Sequence, residues 1–172
     1  NVLLRIMPTF RRYEHDVAEF WTKVYPEFFQ ANECKEGAAV INCIERAVHE
    51  RFYDKISKVY GTDKDEFYLS YLDDPIFKDR AKWLGKTLHQ EDKKLTCLVF
   101  GLVEGLSLFS MFALLRSFQA NGINKIVTTV KGTKQSANDE LLHSEYLATT
   151  FQYYYGELGT SLDLDVEYYD KL

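Results

Sequence analysis

Glycine and proline are scarce in this chain of 172 residues, which has 9 of the one and 3 of the other. That excludes collagen-like and low-complexity classes and leaves few breakers to interrupt long helices. Cysteine is scarcer in its use. Cys34, Cys43 and Cys97 are too few and odd in number for a disulfide framework, and none stands in a Cys-x-x-Cys pair suited to thiolate zinc. A reducing, cytoplasmic setting is therefore expected. Positive charge is not in excess: 21 Lys and Arg against 26 Asp and Glu leave a net charge of −5, which argues against a nucleic-acid partner. No signal-like segment opens the sequence, and its start at Asn1 without Met reads as a fragment or a trimmed chain.

What is present is apolar and aromatic. The chain is 46% hydrophobic and 15% aromatic, with 12 Tyr and 12 Phe. This content rules out disorder as the main state and suffices for one core, so residues 1–172 are expected to form a single domain.

Spacing predicts four long helices. The first should follow Pro8, with Phe10, Tyr13, Val17, Phe20 and Val24 as its apolar stripe, and end near Pro26 or shortly after. The second runs from about Glu36 to Tyr60, with Ile41, Ile44, Val48, Phe52 and Ile56 on one face and Gly61 closing it. A shorter helix over Ile76 to His89, bearing Trp83, starts at Asp73-Asp74-Pro75. The third long helix spans Glu91 to about Asn121, stopped by Asn121-Gly122. The fourth spans Ile123 to Tyr155, weakened by Gly132 and closed by Gly156, and the remainder through Tyr168-Tyr169 could form one more short helix. No segment reads as a strand. The expected fold is all-α, a four-helix bundle with additional short helices.

Leu95 to Leu115 is long enough to cross a bilayer, and its only charge is Glu104. Ser107, Ser110, Thr96 and two glycines dilute it, however, and an ionised Glu104 at its middle would be expensive in lipid. The run reads as the central helix of a soluble bundle, buried all round, with no membrane partner. Glu104 then has little access to water. Such a carboxylate is either hydrogen-bonded to a Tyr or Arg, or bound to a cation.

Other ionisable groups share this inward placement. Glu140-Leu141-Leu142-His143 is the one Glu-x-x-His of the chain, and residues three apart on a helix can grip one ion. Glu45 lies inside the apolar stripe of the second helix with His49 four residues on, while Arg46 points away. On the first helix Glu14 borders the stripe beside Phe10, Val17 and Trp21 and could equally be a surface residue; Asp16 points further out. The series Glu, Glu-x-x-x-His, Glu, Glu-x-x-His on four helices would repel itself without cations. Two metal ions would neutralise it, and mixed carboxylate and imidazole ligands suit iron or manganese, or one of each, better than structural zinc.

At these residues the sequence resembles the small, radical-generating subunit of class I ribonucleotide reductase, within the ferritin-like superfamily. Ala137-Asn138-Asp139-Glu140-Leu141-Leu142-His143 is similar to the family's A-R-D-E-x-L-H signature, and Val48-His49-Glu50-Arg51-Phe52-Tyr53 to its segment carrying a ligating His and, four residues later, the radical Tyr. The resemblance implies Glu14, Glu45, His49, Glu104, Glu140 and His143 as metal ligands and Tyr53 as the radical site, shielded by Leu108 and Phe112. It also implies Asp139 as an acceptor that orients a histidine. Three departures stand out. Arg46 occupies the family's Glu position and Glu45 lies one residue earlier; helical-face geometry favours Glu45 as the ligand, which a one-residue helix bulge could allow, and counting from Glu45 would put Phe52 at the radical position. The stretch between Tyr60 and Glu91 is compressed. Counterparts of the family's C-terminal docking tail and N-terminal relay segment are not seen. The implied protein is a cytoplasmic homodimer that uses O2 and passes a radical to a large catalytic subunit, where a nucleotide 2′-hydroxyl is removed. The alternatives are another dimetal oxidase acting on a small organic substrate, a ferritin-like metal store, and a helical interaction module without catalysis.

Overall fold

A computed structural model describes residues 2–120 and 126–154. The stops expected at Asn121-Gly122 and Gly156, and the short helix through Tyr168-Tyr169, lie outside the described residues. Helix α1 comprises Val2–Glu19, a π-helical turn Phe20–Val24 and Tyr25–Phe28. Pro8 is therefore inside the helix and does not begin it. An interior proline costs about 3 kcal/mol, and the neighbouring burial of Ile6, Met7 and Phe10, each below 5% exposed, holds this end onto the bundle. The helix ends at Phe28, shortly after Pro26, as expected. Pro26 falls just after the π turn, where Tyr25 N–H bonds the Phe20 carbonyl and the ladder is already changing its closure.

Helix α2 comprises Asn32–Ile44, a π turn Glu45–His49 and Glu50–Val59, with Gly61 at φ +67° turning the chain away. Between α2 and the next long helix lie α3 (Asp65–Tyr68), a 3-10 turn (Ser70–Asp73) and α4 (Pro75–Leu88). The start of α4 is as expected: Asp74 accepts a hydrogen bond from Ile76 N–H at 3.0 Å and Pro75 occupies the first turn. Helix α5 comprises Lys93–Leu102, a π turn Val103–Ser107 and Leu108–Ser117, capped by Asp92, which accepts from Leu95 N–H. Helix α6 is Val127–Gln152. Gly132 does not break it, because the Phe52 ring seats on the glycine where a Cβ would collide.

The four long helices form a ring around one core, in a ferritin-like bundle. Phe20 of α1 stacks on Phe100 of α5 at 4.5 Å, α5 meets α6 where Gly105 faces Ser144, and α2 meets α6 at Gly37 beneath Tyr146. Two expectations of burial fail. Val48 is 53% exposed, because the π turn inserts a residue and rotates the following inward positions to His49, Tyr53 and Ser57. Helix α5 is not buried all round: it is long and apolar enough to cross a membrane, yet 44% of its apolar window is buried. Its inward half faces α1 and α6, leaving Leu102 and Leu106 exposed on the outer side.

Candidate metal centre

Each long helix delivers ionisable side chains to the axis of the bundle. Glu14 comes from α1, Glu45 and His49 from α2, Glu104 from α5, and Glu140 and His143 from α6; all six are at most 1% exposed. Their donor atoms converge into two overlapping sets. Glu14, Glu45, His49 and Glu140 form one, and Glu45, Glu104, Glu140 and His143 the other, with the atoms of each set within 4.8 Å of one another. Glu45 and Glu140 belong to both.

The π turns explain why these residues face inward. A π turn takes one residue more than an α turn, so Glu45 and His49, four apart, stand over one another much as a three-residue spacing does on an α-helix. The bulge that a Glu at position 45 demands is thus present, and Arg46 points outward, paired with Glu50 at 3.7 Å. Glu104 lies in a π turn of its own, and Trp21 in another.

His49 Nδ1 faces Glu140 Oε1 at 3.1 Å, Glu45 Oε2 at 3.3 Å and Glu14 Oε2 at 3.5 Å, while its Nε2 contacts Asp139 Oδ2 at 3.0 Å. Asp139 thereby accepts a hydrogen bond from His49 Nε2–H and leaves the other nitrogen facing the carboxylates. His143 Nδ1 faces Glu45 Oε1 at 2.9 Å, Glu140 Oε2 at 3.1 Å and Glu104 Oε2 at 3.7 Å. A lone pair among carboxylate oxygens requires a proton or a metal ion between them. With protons alone, burial and the Glu45 charge push Glu14 well above the carboxylate range, and burial and the Glu140 charge do the same to Glu104. Burial lowers His143, but hydrogen bonding to Glu104, Glu140 and Glu45 overrides it and raises the imidazole to about 12. His49 is raised in the same way by Glu14, Glu140 and Glu45. Glu45 is held low despite burial, chiefly by the two histidines.

The donor set fits two divalent ions. Both oxygens of Glu14 and Glu104 Oε2 are buried without a hydrogen-bond partner, and unpaired buried groups of this kind are costly. Four carboxylates balance the charge of two such ions, and oxygen with imidazole nitrogen is a donor set for iron or manganese.

Tyr53 is fully buried and Phe52 is not, so the rotation at the π turn brings the tyrosine to the cluster. Burial, then the charge of Glu14, raises its phenol. Its hydroxyl, beside Ser136, makes no well-formed hydrogen bond. Phe10 stacks on Tyr53 at 4.9 Å, and Phe112 stacks on Phe10 at 5.3 Å. Phe112 thus reaches Tyr53 through Phe10, which sequence reasoning missed, and Leu108 is buried one turn from Phe112. Asp16 does not point outward: it is 1% exposed, bound to Arg12 at 2.8 Å and apart from both ligand sets. Trp21 was also missed as a site residue. Its Nε1–H donates to Glu104 Oε1 at 2.7 Å; its place seven residues after Glu14, on the same helical face, is the signal that could have found it.

Comparison with known proteins completes the picture. No curated protein and no solved structure matches the chain. Residues 1–165 match the family described as "Ribonucleotide reductase, small chain", and the chain belongs to that family.

Proposed function

We propose that this chain is the radical-generating small subunit of a class I ribonucleotide reductase, working on O2 through two metal ions and serving a large catalytic subunit. Family membership supports the general activity, an oxidoreductase of ribonucleotide reduction. The observation that carries the finer reading is the pair of ligand sets sharing Glu45 and Glu140, beside the enclosed Tyr53.

Glu14 and His49 would hold one ion, Glu104 and His143 the other, and Glu45 and Glu140 would serve both. Iron, manganese or one of each would supply the electrons that reduce O2 and the oxidising power met by Tyr53. The protein's part is to bind, orient and exclude water. Asp139 fixes the His49 ring, and Trp21 fixes one oxygen of Glu104. Tyr53 would supply one electron to the loaded, oxidised site and its phenolic proton to a carboxylate of the cluster, with the stack of Phe10 and Phe112 keeping solvent and reductants from the ring. Two surface clefts, one bordered by Arg11, Arg12 and Tyr68 and the other by Arg80 and Trp83, include none of the six ligands.

A homodimer is proposed as the working form. Loading the chain with ferrous iron and admitting O2 should give two irons per chain and a tyrosyl signal in electron paramagnetic resonance that Tyr53→Phe removes. Iron bound with no radical would keep the metal site and sink the role of Tyr53. No stoichiometric metal would sink the reading as a whole.

A further inference from the structure

On the outer face of α1 one arginine is left out of a set of matched charges. Arg12 lies against the buried Asp16: one carboxylate oxygen accepts from its Nε at 3.1 Å, and the other is 2.8 Å from Nη2. Glu50 of α2 has Arg46 at 3.7 Å. Asp54 has Lys58 at 2.7 Å and accepts from the Tyr68 hydroxyl at 3.1 Å. Arg11 makes no ion pair among the described residues. Its guanidinium sits over the Tyr68 ring, 3.8 Å from the ring centre. An aromatic face thus fixes the group while its N–H donors remain unclaimed. These residues border an open cleft of about 200 Å3. Arg11, Arg12 and His15 come from α1, Tyr68 and Tyr71 from the segment after α2, and Glu50 is the one carboxylate on its wall. Residues three and four apart on a helix are neighbours, so the three α1 side chains stand within one turn. With each ion pair counted as neutral, Arg11 leaves the cleft positive in a chain whose net charge is −5.

We propose that this cleft binds a small phosphate monoester carrying a flat ring. A guanidinium edge grips two phosphate oxygens at once, and the tetrahedral group keeps a third for Arg12 or His15. A planar carboxylate has no third oxygen to offer. The half-buried Tyr71 supplies a face on which the ring of the ester stacks, the Tyr68 face being taken by Arg11. The volume lies below the range of drug-sized pockets and suits a ligand with one ring. Glu50 opposes the anion, and its pairing with Arg46 moderates that opposition. None of the six cluster ligands borders the cleft, so the site stands whether or not the cluster holds metal.

The test titrates the full chain with phenyl phosphate, inorganic phosphate and phenol in a calorimeter. Phenyl phosphate should bind once per chain, at least about tenfold more tightly than inorganic phosphate, and phenol should give no heat of binding. Arg11→Gln should weaken phenyl phosphate by at least about tenfold, with helical circular dichroism retained. Tyr71→Ala should bring phenyl phosphate down to the affinity of inorganic phosphate. Glu50→Gln removes the opposing carboxylate and should tighten binding, a gain that misfolding cannot produce. No binding of phenyl phosphate at millimolar concentration overturns the proposal. So does binding that Arg11→Gln leaves undiminished, which would put the anion at the cluster or elsewhere. Equal affinities for phenyl phosphate and inorganic phosphate in the unsubstituted chain overturn the assignment of an ester with a ring.

Discussion

Glu45 and Glu140 belong to both ligand sets, whereas Glu14, His49, Glu104 and His143 each belong to one. Loss of a shared carboxylate therefore differs in kind from loss of an unshared one. Glu45→Ala and Glu140→Ala are expected to bring metal content near zero, while Glu14→Ala and Glu104→Ala retain about one ion per chain. Elemental analysis after desalting distinguishes the two patterns, and equal losses from all four would remove the distinction. Protons set the second expectation. Glu14, Glu104, His49 and His143 are all shifted upward in the absence of an ion, which favours their protonated forms and sets protons in competition with a metal. Metal uptake should then release protons into a weakly buffered solution, and affinity should fall as the pH is lowered. Uptake without proton release would contradict this charge distribution. The positions that meet in the buried cluster could be picked out in the sequence because a carboxylate or imidazole within or beside an apolar stripe is anomalous, although Glu14, at the stripe's edge, read equally well as a surface residue. Trp21 could not, because a tryptophan in such a stripe looks like ordinary core.

Among the helices, the π turns are the least legible feature and the most consequential. Sequence periodicity assumes a constant residue count per turn, so the expected α2 stripe ran through Val48 and Phe52. One inserted residue at 45–49 sends Val48 out and brings His49 and Tyr53 in. The bulge was foreseen only through the misfit of Arg46 with the family pattern. Pro8 misled for a related reason: local preference is overridden where flanking side chains are buried. Gly132 shows the reverse. It reads as a weakness in α6 and is in fact the seat of the Phe52 ring, one residue from Tyr53. Gly132→Ala should therefore destabilise the chain by about 1–3 kcal/mol although alanine is the better helix former. Thermal unfolding checks this, and a raised melting temperature would show that Phe52 moves aside freely.

In the molecule as a whole, the ring of helices was predictable and its outer surface was not. Leu102 and Leu106 on the outer side of α5, and Leu141 and Leu142 on that of α6, are each at least half exposed. The two helices abut at Gly105 and Ser144, which brings these leucines to neighbouring outward faces. Extended apolar patches on a folded protein mark contact surfaces. If the proposed homodimer uses this face, Leu106→Lys combined with Leu142→Lys should shift the chain from dimer to monomer on a sizing column with helical circular dichroism retained. A dimer that survives the change places its contact elsewhere. Sequence reasoning missed the surface because a long apolar run was read as a buried one, whereas only its inward side has partners.

Asp139 has a side-chain exposure of 38% while the His49 ring it holds is 1% exposed. A single hydrogen bond therefore separates the deepest part of the bundle from bulk water. The cluster is closed to solvent molecules but remains within one proton hop of them. Whatever rests over Asp139, whether another protein surface or a bound anion, acts directly on the basicity of a ligand without entering the site.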